Sequence, residues 1–405
     1  MFEPPLTRKI RSKHGRAMEW SLDRRRSVSS LEAASSRVGQ ANSEAVSFMK
    51  AWHRESRFPA SWASELTASL ANWLHEQAEF APTKAKLSDL MDQTPKDTAI
   101  HDLVGLRKVI SSAGFFSLGP PLLADAIRKR KQDRLLRMSR HPAYVRASLL
   151  NEDFTASTIL SAHPWFKFAG EINHYLKLVN GSFQPSGPPS LVIGPSTPDP
   201  SLMSTMRDHT VCRVLIPTSE QVRPLSAEST DAYYLNGLTA HWIQSLDTET
   251  KEKLFSTPGS IYAKNEKTAT ILGPKVGVAV NLKPIYFTGS PNMIPIIAVD
   301  QLLRGAGHVH VTGTTFFLGD QPYHVNSRRV FSESEHESDA FGSTGTPFER
   351  CRAIAAHDQA PNRMVVRHLM EAGLVSGDAN FSRALLLSES DYFSELEQTY
   401  GKRRK

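Results

Sequence analysis

Phosphate chemistry is most plainly suggested by residues 288–315. Thr288-Gly289-Ser290-Pro291-Asn292 is a loop of small residues. It opens onto Met293, Ile294, Ile296, Ile297, Val299, Leu302 and Leu303, an apolar set covering most of a helix circumference. Ser290 is a good N-cap, and Pro291 suits the first helical turn, where its missing N–H is not needed. Such a first turn carries unsatisfied N–H groups and partial positive charge, so it can seat an anion; a plain helix cap is the simpler reading. Gly305 and Gly307 supply the stop, and His308 to Thr312 then reads as a β-branched strand running into Gly313-Thr314-Thr315. A second compact strand, Ser190-Leu191-Val192-Ile193, ends in Gly194-Pro195-Ser196-Thr197. That turn is weak taken alone, because it lacks Gly-x-Gly-x-x-Gly spacing. Together these loops place N–H and hydroxyl groups at one edge of a sheet, where open α/β folds bind phosphorylated ligands.

Other reactive side chains carry simpler readings. His308 and His310 alternate with valines and share a strand face, a pattern that fits packed or solvent-facing histidines better than a metal pair. Asp-containing triplets such as Asp199-Pro200-Ser201 lack a second carboxylate, so no Asp-x-Asp metal site stands out. With only Cys212 and Cys351, the 405-residue chain supports neither a disulfide scaffold nor a cysteine-based zinc site, and a reduced cytoplasmic setting is expected. The N-terminus has no apolar core behind its basic residues, so a secretory signal is not expected.

Positioning these groups requires a sheet, and the strands begin only near residue 188. After Gly187-Pro188-Pro189, strands are expected at 190–194, at Val211 to Ile216, and at Asp231 to Leu235 ending at Asn236. Further strands are expected at 268–273, at Val276 to Asn281, at 308–312 and at Arg383 to Leu387, with a helix starting near Ser388. Strands alternating with helices predict an α/β fold with a single, mostly parallel, Rossmann-like sheet. Residues 331–347 are polar and read as a long loop.

The N-terminal part is different. Residues 1–150 carry a net charge of +10, against −3 for the remainder. Residues 1–40 read as a basic, flexible tail, and 41–155 as a helical region. There Val46, Phe48, Met49 and Trp52, then Trp62, Leu66, Leu70, Trp73 and Leu74, recur at helical spacing. Residues 156–405 hold the α/β domain. The run from Arg128 to Arg140 is either a solvated helix face or a docking patch for an anionic membrane surface or glycan. The nearby Phe115, Phe116, Leu118, Leu122 and Leu123 favour membrane contact, through residues 103–140, over nucleic acid, for which no module is present.

The order of features over 190–400 resembles the sialyltransferases, CMP-sugar-dependent glycosyltransferases built on a modified single Rossmann sheet, a GT-A-like variant. The resemblance rests on four places. Leu191-Val192-Ile193-Gly194-Pro195-Ser196 is similar to the family's opening strand and turn at the nucleotide. Asn236 is similar to its nucleotide-side asparagine. Thr288-Gly289-Ser290 and Thr312-Gly313-Thr314-Thr315-Phe316-Phe317 resemble its small-residue loop and strand-ending glycine motif. His357-Asp358 lies where the family carries its general-base histidine. Departures are Thr314-Thr315 in place of a hydrophobic–Asp pair, a single aromatic hydroxyl, Tyr323, in the following loop, and Pro195, which removes one N–H from the first turn.

The resemblance implies an inverting glycosyltransferase moving sialic acid or a Kdo-like sugar from CMP to a surface glycan or glycolipid. His357 would be the base, oriented by Asp358. Gly194, Ser196, Asn236, Gly289, Ser290, Asn292, Gly313, Thr314 and Thr315 would hold the donor, with Tyr323 and His324 as further donors to its phosphate. One phosphate leaves less charge to neutralise than two, so neither metal nor cofactor is expected. Another nucleotide sugar, or a binding protein that has lost the chemistry, are the rival readings.

Overall fold

The computed structural model describes residues 47–49, 51–52, 58–74, 78–95, 98, 100–119, 170–205, 208–215, 230–256, 259–282, 291–319, 347–357 and 359–401. The chain divides into two compact units, with the division between residues 129 and 130.

In the first unit, helices α1 (Ala60–Leu74), α2 (Phe80–Asp92) and α3 (Ile100–Ser112) follow the expected periodicity. The buried face of α1 is Trp62, Leu66, Leu70, Trp73 and Leu74. Two indoles join helix ends: Trp62 Nε1 donates to Leu90 O (2.9 Å) and Trp73 Nε1 to Ala113 O (2.8 Å). A buried indole N–H left unpaired would cost about 1–3 kcal/mol, so these bonds select the register of the packing. Phe115 and Phe116 are fully interior, Phe115 stacking on Phe80 at 4.9 Å. They belong to this core and do not form the surface patch anticipated around 115–118. Leu122, Leu123 and the basic run 128–140 lie outside the described residues.

The second unit is built on seven strands, all parallel: β1 (Ser190–Ile193), β2 (Thr210–Val214), β3 (Ala232–Leu235), β4 (Ser260–Ala263), β5 (Gly277–Val278), β6 (Val309–Thr312) and β7 (Val375–Gly377). Their order is β5-β4-β3-β2-β1-β6-β7. The chain therefore winds outward from β1 on one side, crosses back, and continues on the other. The winding reverses between β1 and β6, two strands in from the β7 edge. This is an α/β, Rossmann-like architecture preceded by a helical region.

One face of the sheet receives the helix Met293–Leu303, and the other a helical layer. The helices of the unit are α4 (Gly170–Val179), α5 (Pro200–Thr205), α6 (Gly237–Ser245), α7 (Thr248–Phe255), α8 (Glu266–Leu272), α9 (Met293–Leu303), α10 (Pro347–Ala355), α11 (Gln359–Glu371), α12 (Ala379–Leu386) and α13 (Glu389–Leu396), followed by a π-helical turn at Glu397–Gly401. Tyr233, Leu235, Ile261 and Ala263 meet Ala240, Ile243, Leu254 and Ala269 of α6, α7 and α8. Helix α9 is apolar all round, and its buried polar residues make specific bonds. Asp300 accepts from Tyr234 Oη (2.6 Å), Arg304 Nε (2.7 Å) and Val280 N–H (3.0 Å). Gln301 Nε2 donates to Tyr234 Oη (2.7 Å), and its Oε1 accepts from Ser190 Oγ (3.0 Å). Burial, with the Asp300 carboxylate beside it, raises the Tyr234 phenol far above its ordinary pKa. These bonds set the rotation and height of α9 against β1 and β3.

Several local expectations change. Residues 268–273 are not a strand: Asn265 caps α8, its Oδ1 accepting from Thr268 N–H (2.9 Å), and a satisfied cap outweighs two β-branched threonines. Residues 383–387 lie in α12 and its C-cap; the real last strand is β7, with Asp378 capping the helix after it. Strand β4 went unread, and Val276 to Asn281 contributes only the two-residue β5. Helix α9 starts at Met293 with Asn292 as N-cap, so Pro291 lies before the cap, and Pro295 occupies the first turn. Gly305, at φ +104°, ends the helix as expected. Asn292 and Ser388 begin α9 and α13, and the latter is the anticipated start.

Candidate functional site

The carboxyl ends of β1 and β6 flank the point where the winding reverses, and their exit turns are pressed together. Gly194 N–H donates to Thr312 O (2.8 Å) and Ser196 N–H to Gly313 O (2.7 Å). A Cβ on Gly194 would lie 2.3 Å from Gly313 O, so only glycine fits there. Asp378, at the exit of β7, completes the lock: its Oδ2 accepts from Thr312 Oγ1 (2.8 Å) and Gly313 N–H (3.1 Å), while its Oδ1 caps α12 through Phe381 N–H (2.8 Å). The Thr312 hydroxyl also accepts from Asp199 N–H (2.8 Å). The backbone N–H groups of Gly194, Ser196 and Gly313 are thus all used inside the protein. What this turn can offer a ligand is hydroxyls, among them Thr315 Oγ1, a buried oxygen without a partner.

Beyond Thr315 the loop bends sharply. Phe316 and Phe317 both have left-handed backbone, at φ 48° and 68°, between Gly313 (φ 68°) and Gly319 (φ 89°). For a bulky residue this conformation is costly and persists only when its surroundings enforce it. Two C-terminal tyrosines do so: Tyr392 Oη donates to Phe316 O and Tyr400 Oη to Gly319 O, each at 2.6 Å. Tyr392 is completely buried under the Arg363 guanidinium (4.0 Å from ring centroid to Cζ), and burial raises its phenol pKa, so it stays a donor. Phe317 in turn lies against His357, with ring centroids 6.0 Å apart and planes at 28°. His357 is half-buried between α10 and α11. The loop after β6 therefore brings His357 to the same edge as Thr314 and Thr315.

A second cluster lies at the N-terminus of α9. Asn292 N–H donates to Asn362 Oδ1 (2.7 Å), and Lys264, just past β4, donates its ammonium to Pro291 O. Asn362, near the start of α11, is wholly buried, and its Nδ2 has no partner. A buried donor in this state costs about 1–3 kcal/mol. Asn236 caps α6, its Oδ1 accepting from Thr239 N–H (2.9 Å) and Thr239 Oγ1 (3.1 Å), so that oxygen is committed to the helix.

At the amino end of β6, His308 and His310 share Ser376, and the ring of His209, whose buried Nδ1 has no partner, lies 5.3 Å from that of His310. His308 Nδ1 lies 3.0 Å from Gly373 O, His308 Nε2 lies 2.9 Å from Ser376 Oγ, and His310 Nδ1 lies 2.7 Å from the same oxygen. Gly373 O can only accept, so His308 carries its proton on Nδ1. Ser376 then donates to His308 Nε2 and accepts from His310 Nδ1–H. Burial, with His308 and His209 alongside, pulls the His310 imidazole down to about 4. Among the described residues no three His, Cys, Asp or Glu side chains are placed to hold a metal ion.

Of the residues singled out in the sequence, the fold brings Gly194, Ser196, Gly313, Thr314, Thr315 and His357 to one edge and sets Asn292 and Asn236 at helix starts there. Gly289, Ser290, Tyr323, His324 and Asp358 lie outside the described residues. Asn362, Lys264, Asp378, Tyr392 and Tyr400 were missed. Asp378-Ala379-Asn380-Phe381 carries a capping signature that could have been found. Asn362 carries no signal, since only its burial makes it unusual. Comparison of the chain with protein-family models, with curated proteins and with solved structures returns no match. No helix among the described residues is long and apolar enough to cross a membrane.

Proposed function

We propose that the chain is an inverting, metal-independent glycosyltransferase of the sialyltransferase-like kind, transferring a sialic acid or Kdo-like sugar from CMP to a surface glycan or glycolipid. The observation that carries this reading is the contact of His357 with Phe317, in the strained loop leaving β6 where the sheet reverses its winding. Strained non-glycine backbone gathers at sites where geometry matters more than local energy. In the proposed reaction His357, oriented by Asp358, takes the proton of the acceptor hydroxyl. The acceptor oxygen bonds to the anomeric carbon as that carbon's bond to the phosphate oxygen breaks, and CMP leaves with the electron pair. A histidine base contributes about 10²–10⁴ in rate. The α9 N-terminus, with Tyr323 and His324, stabilises the charge gathering on the departing phosphate. A donor with one phosphate has less charge to neutralise than a diphosphate, which is why no metal enters the scheme. The basic segment 128–140 would hold the enzyme at an anionic inner membrane surface.

One observation favours a second reading, a nucleotide-binding protein without turnover: the N–H groups of Gly194, Ser196 and Gly313 are all bonded internally. Donor hydrolysis across a panel of nucleotide sugars separates the readings. CMP release supports the proposal, UDP or GDP release points to another donor class, and no release from any donor supports binding alone.

A further inference from the structure

We infer that Asn362 and the N-terminus of α9 form a binding seat for an oxyanion, contributed by the donor's phosphate or by a sugar carboxylate. The inference deepens the proposed function and rests on it for the choice of donor, but its physical basis is independent. A backbone N–H can only donate, so the Asn362 atom 2.7 Å from Asn292 N is its oxygen. The carboxamide is thereby held one way round, and the group left unpartnered is the N–H₂ donor. That donor is completely buried beside the first turn of an 11-residue helix. There the N–H groups of Met293 and Ile294 have no acceptor within the helix, and Pro295 has no N–H to offer. Lys264 adds a positive charge from the exit of β4 at Pro291 O.

One neighbour opposes this. Gln359, one helical turn before Asn362, donates its Nε2 to Ile354 O (3.1 Å) and leaves Oε1 as a buried acceptor without a partner. Donors still predominate in the cluster, and a hydroxyl next to the oxyanion would satisfy Gln359. Uncharged ligands, by contrast, would gain nothing from the ammonium or the helix dipole.

The test compares binding of inorganic phosphate, CMP, cytidine and N-acetylneuraminate by calorimetry, with the full chain as wild type, Asn362→Asp and Lys264→Met. Aspartate keeps an oxygen for the Asn292 N–H and replaces the donor by an anionic oxygen. Wild type is expected to bind CMP well above cytidine, and Asn362→Asp to weaken CMP by about tenfold or more. Lys264→Met, which leaves the buried amide intact, is expected to weaken it by a smaller factor and to flatten its salt dependence. If N-acetylneuraminate binds and phosphate does not, the seat takes the carboxylate. If phosphate binds, it takes the phosphate. Equal binding of CMP and cytidine with no binding of N-acetylneuraminate, or unchanged affinity of both variants for whichever oxyanion the wild type binds, overturns the seat, and Asn362 then holds only an internal water. A chain that binds CMP through Asn362 but releases nothing from any nucleotide sugar keeps the seat and loses the transferase. Normal turnover in Asn362→Asp does the reverse.

Discussion

The two ends of β6 carry polar clusters of opposite character. At the amino end, His308, His310 and Ser376 satisfy one another in a single direction, ending on Gly373 O. At the carboxyl end, the backbone is strained at Phe316 and Phe317, Thr315 Oγ1 is unpartnered, and Asn362 Nδ2 at the same edge of the sheet is unpartnered too. The histidines look more chemical than two asparagines and a threonine, yet His308 and His310 spend their bonds on Ser376 and Gly373 O, and only the neighbouring His209 keeps a buried Nδ1 without a partner. Reactivity is better sought where bonding capacity is left over, because a buried unpaired donor is destabilising and calls for a partner.

The largest test of this contrast is His357→Ala. Turnover is expected to fall about a hundredfold or more while nucleotide affinity stays near wild type, since a base acts on the acceptor. Measuring both on one preparation decides it, and near-normal turnover would remove the carboxyl end's claim to chemistry. Next comes Gly194→Ala, which forces a Cβ against Gly313 O and is expected to destabilise the fold by about 1–3 kcal/mol in chemical denaturation. An unaffected midpoint would mean that the two exit turns are not locked. Tyr392→Phe removes one buried bond to Phe316 O and is expected to cost about 1 kcal/mol. It should also raise hydrogen exchange across residues 313–319; a stability loss without that local change would show the tyrosine to be packing alone.

The smallest expected effect lies at the amino end. The folded His310 pKa sits near 4, below the ordinary 6.5. Between those values the unfolded chain holds the extra proton, so stability present above pH about 6.5 is lost as pH falls toward about 4. His368, also lowered by burial, adds slope in the same direction. Stability against pH, followed in wild type and His310→Gln, should show a shallower slope in the variant. Identical slopes would mean that this cluster does not respond to protons and would weaken the contrast with the other end.

Helix α9, strand β6 and the glycine stop between them were readable because their cues are local: a continuous apolar pattern and a left-handed glycine within twenty residues, although the cap fell on Asn292 and not on Ser290. Strands β1, β2 and β3 were readable for the same reason, as short β-branched or aromatic runs ended by turn residues. Where two local cues competed, reading failed. Thr268 to Leu272 has strand composition, but the Asn265 cap made it a helix, and Arg383 to Leu387 lost its strand to a helix capped by Asp378. The order of the strands, and so the reversal between β1 and β6, depends on which edges pair across more than a hundred residues. Asp378 reaches Gly313 across 65 positions, Asn362 reaches Asn292 across 70, and Tyr392 reaches Phe316 across 76. Burial, the thing that turns an ordinary asparagine into an unpaired donor, is a property of everything packed around it. Periodicity and capping decided the elements of this protein; only their packing decided which polar groups were satisfied and which were left to bind.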